Sequence, residues 1–391
     1  MDSMFAATNF NRPLNNWNVS NVVTMEGMFN SNAAFNQNIN SWNVSNVQNM
    51  AEMFAGATGF SQPLNNWNTS SVTTMAYMFD RATAFNQPLN SWNVSNVVTM
   101  EGMFKNATNF NQNINSRDTS KVSDMDYMFN EATGFNQPLH SWNISNVSNM
   151  DYMFYGATKF NQPLSGWDTS SVVWANSMFL GASAFNQDLS AWSVTKLMRA
   201  YGMFDNTALS TYNYNEMLDK WSQQNLAVFA VFGANPTKYG GCEVNAAAGI
   251  AGRALLQTKG WIITDGGQAP CSDAFITTWR TTTANEWVQI PTMGGGYSFT
   301  VDRGDGTTGS YYGTVGHTYA TAGDHQVSIR GSFPRIYINN NAYKDKLISV
   351  DQWGDMAWTS MENAFYGCTN LAILATDAPD LSNVTNMYGM F

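Results

Sequence analysis

Charge is scarce in this chain, and so are the residues that most often do chemistry. Of its 391 residues, 12 % are Asp, Glu, Lys or Arg, the net charge is −10, and there are three histidines and three cysteines. Basic residues are few and unclustered, which argues against a nucleic-acid backbone or an anionic membrane surface as partner. No run of 18 apolar residues occurs, so membrane insertion of this segment is not expected. Met1–Phe5 offers neither the basic nor the apolar stretch of a targeting signal. His140, His317 and His325 fall in different modules or at strand ends, and no Ser-His-Asp order, phosphate loop or metal-ligand spacing accompanies them. Catalytic residues, a cofactor and a metal centre are therefore not expected. Three cysteines are too few for a disulfide scaffold. Cys242 and Cys271 bracket one segment and are the pair an exported chain would join, while Cys368 reads as a small core residue.

What the chain does have is aromatic residues, 14 % of the total, set in a strict repeat. Met-Phe recurs at Met28, Met53, Met78, Met103, Met128, Met153, Met178 and Met203, a period of 25 without slippage; Met4-Phe5 lies 24 residues before Met28. Phe10, Phe35, Phe60 and their successors form a second ladder, and Leu14, Ile39, Leu64 and theirs a third. A fixed period of this size predicts a solenoid in which each coil buries its apolar face only between neighbours. Apolar residues at Val47, Met50, Met53 and Phe54 have helical spacing, which predicts a short helix in each coil. Leu64–Thr69 predicts an extended segment that would stack into a parallel sheet with neighbours about 4.8 Å apart. The column Met25, Met50, Met75, Met100 reads as core packing rather than a soft-metal site. Asn18, Asn43, Asn68, Asn93 and Asn143, with Asp118 and Asp168, recur beside the Trp and are expected to support tight turns and to bond to their counterparts above and below. One coil departs from the pattern: Arg117-Asp118 replaces Trp-Asn, and Lys121 follows.

Residues 85–97 and 100–104 resemble the BspA-type leucine-rich repeats of bacterial surface proteins, in the subfamily with 25-residue units. The resemblance covers residues 1–207 and implies a right-handed leucine-rich-repeat-like solenoid with a parallel β-sheet, short helices and no catalytic residues. Residues 208–271 read as a capping segment, with helices near Tyr214–Trp221 and Ala248–Gln257 and a strand after Lys259. Residues 272–346 alternate as strands with Gly-rich turns. There Val301–Thr307, His317-Thr318-Tyr319 and Gly323-Asp324 resemble the PKD-like domain, an immunoglobulin-like β-sandwich whose motif has Trp where this chain has Arg303. Asp302 and Asp305 are the one candidate calcium pair, although two carboxylates on a turn are more often turn formers. Repeat language returns in residues 347–391, read as the start of a second array.

These features point to a non-catalytic extracellular or cell-surface segment, serving in adhesion or as part of a surface filament. A virion or phage fibre component and a glycan-binding module are the alternatives. The candidate binding face is Asn15, Asn16, Asn40, Ser41, Asn65, Asn66, Asn90, Ser91, Asn115, Ser116, His140 and Ser141, small, neutral and nearly unchanged from coil to coil. Lacking the varied aromatic and Arg anchors of a protein hot spot, such a surface suits a repetitive partner, a glycan or further copies of the chain, or no partner. The partners expected for the segment are a host or environmental glycan or protein, or copies of itself. Both ends fall at the same phase of the repeat, which leads us to expect an interior piece of a longer polypeptide.

Overall fold

The computed structural model describes residues 1–226, 229–241, 245–269, 274–375 and 377–391. The chain is mostly β, with several sheets and, among the described residues, two α-helices. It divides into two compact units, Met1–Ala269 and Pro270–Phe391.

In the first unit the 25-residue coils lie one on another, and their backbone hydrogen bonds run between coils. Met25, Gly27, Phe29 and Ser31 donate to the carbonyls of Asn49, Ala51, Met53 and Ala55 at 2.6–2.9 Å. Met50, Glu52, Phe54 and Gly56 do the same to Thr74, Ala76, Met78 and Asp80. The intervening Met28, Asn30 and Asn32 turn back to Met25, Gly27 and Phe29 within their own coil. One parallel bridge per coil joins Thr24, Asn49, Thr74, Thr99, Asp124, Asn149, Trp174 and Arg199.

This arrangement corrects the helix and strand expectations. Residues 1–207 contain no α-helix: the Met-Phe segment is a run of turns in which alternate N–H groups face along the stack. Two residues per coil make this possible by adopting positive φ, at Gly27, Glu52, Tyr77 and their equivalents and at Ser31, Gly56, Arg81 and theirs, with φ between 51° and 73°. Each redirects the following peptide plane. The apolar spacing that imitates a helix is the inward face of these turns. Leu64–Thr69 is likewise a turn, with Trp67 N–H donating to the Leu64 carbonyl at 3.2 Å. The parallel ladder lies ten residues further on, at Thr74.

Side chains between the coils form one continuous core. Phe60 and Trp67 are 0 % and 1 % exposed. Phe29, Phe54 and Phe79 stack at 5.6 Å between centroids, and Trp67 stacks on Trp92 at 6.2 Å. No coil can bury these rings alone, so packing makes neighbouring coils interdependent.

The stack then passes into a region with different local structure but the same bonding. β1 (Arg199–Ala200) pairs in parallel with β2 (Val231–Ala234), continuing the bridge column. The intervening α1 (Thr211–Ser222) is capped by Ser210, which accepts from Asn213 N–H. Its Trp221 indole donates to the Leu189 carbonyl at 3.1 Å, as the Trp of a further coil would. β3 (Tyr239–Gly240) and α2 (Ala246–Thr258) follow; then β4 (Ile262–Asp265) pairs in parallel with β2, and β5 (Gln268–Ala269) with β3. Arg253 of α2 grips Asp265 at 2.8 and 3.2 Å, and Tyr214 donates to the same carboxylate at 2.9 Å. Cys242 and Cys271 lie outside the described residues.

The second unit has strands β6 (Phe275–Thr281), β7 (Glu286–Ile290), β8 (Ser298–Asp302), β9 (Thr308–Tyr311), β10 (Val315–Tyr319), β11 (Gly323–Ser332), β12 (Leu347–Gln352) and β13 (Ala372–Ile373). Six form a sheet in the order β13-β12-β6-β11-β8-β9, and β10 pairs with β7. The inward residues of β6, Phe275, Thr277, Trp279 and Thr281, are buried. Because β12 pairs with β6, residues 347–352 complete this sheet. Coil-type bonding then resumes, with Met361, Asn363 and Phe365 donating to Asn386, Tyr388 and Met390.

Candidate binding face

The neutral residues singled out above sit at one corner of each coil, on the turn between the buried Leu or Ile and the buried Trp. Asn15, Asn16, Ser41, Asn65, Asn66, Asn90, Ser91, Ser116, His140 and Ser141 are exposed, Asn40 and Asn115 half-buried. Much of their hydrogen-bonding capacity goes to the neighbouring coil. Asn40 donates to Asn65 Oδ1 at 3.2 Å and accepts from Asn66 N–H at 2.9 Å. Asn115 accepts from Ser141 N–H at 2.9 Å, and its Nδ2 lies 3.2 Å from His140 Nε2. Ser41 and Ser91 donate to the Asn15 and Asn65 carbonyls.

The Asn beside each Trp does one of its two expected jobs. Asn18, Asn43, Asn68, Asn93 and Asn143, like Asp118 and Asp168, each accept from the N–H two residues on, at 2.9–3.2 Å. Bonding from coil to coil falls to another column. The Oδ1 atoms of Asn11, Asn86, Asn111, Asn136 and Asn161 accept from the N–H groups of Asn36, Asn111, Asn136, Asn161 and Asn186. The recurring Phe-Asn-Gln triplet was the signal for this column. Tryptophans add a further link: Trp42, Trp67, Trp92, Trp142, Trp167 and Trp192 donate to the Leu or Ile carbonyl of the coil before, at 2.9–3.1 Å. At Arg117 a guanidinium makes that bond instead, to Leu89 at 2.9 Å. A small apolar cavity of about 20 Å³ remains there, bounded by Trp92, Phe104 and Trp142. Burial lowers the Arg117 pKa.

Asp302 and Asp305 act as turn formers. Asp302 accepts from Gly304 N–H, and Asp305 from Thr307 N–H and hydroxyl. The second Asp305 oxygen lies 2.6 Å from His317 Nε2, both side chains being about a quarter exposed at 26 % and 23 %. Burial works against the Asp305 charge, but the bonds from Thr307 and His317 outweigh it and bring the carboxyl down to about 2. Among the described residues no group of three His, Cys, Asp or Glu side chains is placed to hold a metal ion. Arg303 is buried, donates to Tyr311 and Thr307, and lies over the Tyr311 ring. Cys368 is a free, half-buried thiol, pushed by burial to about 11.

A second face escaped the sequence reading. Beside the bridge column, a position that is Gly or Ser in some coils carries Tyr77, Tyr127 or Tyr152 in others, next to Glu101, Asp126 and Asp151, and the column itself carries Trp174. Burial first, then Asp151 and Asp124, raise the Asp126 carboxyl to about 7. The clue was variation at these positions among near-identical neighbours.

Bonding between coils, a core shared along the stack and mostly β structure define a repeat-built protein. The chain belongs to the family described as Mycoplasma protein of unknown function, DUF285, whose model matches residues 1–116, 100–221 and 337–391. No curated protein and no solved structure matches the chain significantly. No described helix is long and apolar enough to cross a membrane.

Proposed function

We propose that this chain is a non-catalytic segment of an exported surface protein, acting in adhesion or as part of a surface filament. In this reading residues 1–207 are a leucine-rich-repeat-like solenoid related to BspA-type repeats, closed by 208–269. Residues 274–346, with strand β12 of residues 347–352 added to their sheet, are then a PKD-like, immunoglobulin-like β-sandwich. The observation that carries the proposal is the unbroken ladder of bonds between coils over a single core, which makes a stiff scaffold that repeats one surface many times. The match of both repeat regions to one family supports a modular chain. Arg303, buried where the PKD motif has Trp, supports the second module because it is held as a core residue.

The test is made on cells that produce the protein. Protease shaving of intact cells should release peptides from residues 1–207, and deletion of the gene should reduce attachment to a surface or to other cells. Recovery of the protein solely from the soluble cell interior would defeat the proposal.

A further inference from the structure

At the position of Gly27, the eight coils carry Gly27, Glu52, Tyr77, Gly102, Tyr127, Tyr152, Ser177 and Gly202, all with φ between 51° and 60°. Glycine adopts this left-handed conformation without strain, whereas a tyrosine there is held in a conformation that L side chains disfavour. Three coils nevertheless use Tyr, and the rings form a strip. Tyr77 lies over Gly102, where an added Cβ would sit 2.3 Å from the ring. The Lys105 ammonium is 4.7 Å from the Tyr127 centroid and 5.9 Å from that of Tyr77. Tyr127 stacks on Tyr152 at 4.8 Å. One coil further Trp174 stands in the bridge column itself, 41 % exposed, and in the next coil Tyr201, 61 % exposed, takes the position of Asp151, with Arg199 beside it in the bridge column.

Directly beside the rings run Glu101, Asp126 and Asp151, with Asp124 next to them. None of these four carboxylates forms a salt bridge among the described residues, and Asp126 Oδ1 is a buried oxygen without a hydrogen-bond partner. Lys105 is committed to the rings. The face thus joins aromatic surface to carboxyl groups that no described basic side chain pairs with, of which Asp126 carries its charge only above about pH 7, so binding is measured at pH 8. We propose that the Tyr77–Tyr201 face is a docking surface for an extended polypeptide segment rich in Lys or Arg. Cationic side chains supply the missing countercharge and gain attraction to the faces of Tyr and Trp. Anionic glycans and nucleic acids are repelled, and a neutral glycan, although its hydroxyls can donate to the carboxylates, brings no countercharge. This proposal does not rest on the surface-protein reading and is tested apart from it.

The experiment is fluorescence anisotropy on the full chain with labelled octalysine, octaglutamate and a neutral oligosaccharide. Octalysine should bind, more weakly as salt rises, and the other two should not. The double variants Asp124→Asn/Asp126→Asn, the first of which restores the Asn of neighbouring coils, and Tyr127→Gly/Tyr152→Gly should each weaken binding about tenfold or more, without a lower melting temperature. Asp118→Asn/Asp168→Asn is the control, removing the same charge from the other corner and restoring the residue of neighbouring coils; it should change affinity by less than about twofold. No octalysine binding, preference for either other probe, or equal loss in the control would overturn the proposal.

Discussion

Arg117 donates to the Leu89 carbonyl at 2.9 Å, the bond that the Trp indole makes in the other coils. The substitution keeps the donor but breaks the tryptophan column between Trp92 and Trp142, buries part of a charge and leaves a cavity of about 20 Å³. Arg117→Trp should therefore stabilise the protein by about 1–3 kcal/mol, read as a higher urea midpoint. Arg117→Ala should lose about 1–3 kcal/mol, because the Leu89 carbonyl loses its donor and the cavity grows. Destabilisation by the Trp variant would show that the neighbouring coils have repacked around the guanidinium.

Trp67 is 1 % exposed, stacks on Trp92 and donates to Ile39 at 3.1 Å. Trp67→Ala should cost about 3–5 kcal/mol by lost burial and cavity formation. Equilibrium denaturation followed by tryptophan fluorescence checks this. A loss below 1 kcal/mol would mean that adjacent coils collapse into the gap.

Asp126 should make stability depend on pH in an uncommon direction. Its folded pKa, about 7, lies above the ordinary carboxyl value, so the folded state holds the proton more tightly than the unfolded chain. The contribution is full at acidic pH, falls as pH rises between the two pKa values, and is gone above about 7. Asp126→Asn should raise stability at pH 8 by about 1 kcal/mol, discounted because the side chain is partly exposed, and change little at pH 4. Melting curves of both proteins at the two pH values decide it. An equal effect at both would assign the change to packing.

In the closing segment Asp265 is nearly buried, held by Arg253 at two atoms and by Tyr214. Arg253→Ala should destabilise by about 3–5 kcal/mol, since it strands a buried carboxylate. Hydrogen exchange in residues 211–265 should rise first.

The repeat, its buried ladders and both helices of the closing segment were legible in the sequence because each rests on the placement of apolar residues. Phe60 and Trp67 had to be covered, and only neighbouring coils can cover them. Backbone path was another matter. Val47, Met50, Met53 and Phe54 satisfy a helix and a run of alternating turns equally well, and positive φ at Glu52 or Tyr77 is signalled only by the glycines that share their column, Gly27, Gly102 and Gly202. The two polar columns were also confused, because Asn11 and Asn18 differ in whether the nearest free N–H lies on the next coil or two residues along. Tyr127 and Asp126 leave no mark on the periodicity, because they matter where the coils differ.

Bonds that run from coil to coil also set how the first unit responds to force. Pulled apart along the stack, it presents a few hydrogen bonds and one layer of rings at a time, so coils detach in sequence rather than shearing together. Each detached coil frees 25 residues, about 85 Å of extended chain. A stack built this way should lengthen in uniform steps under load, dissipating work at each, and recover as the next coil re-forms against an intact neighbour.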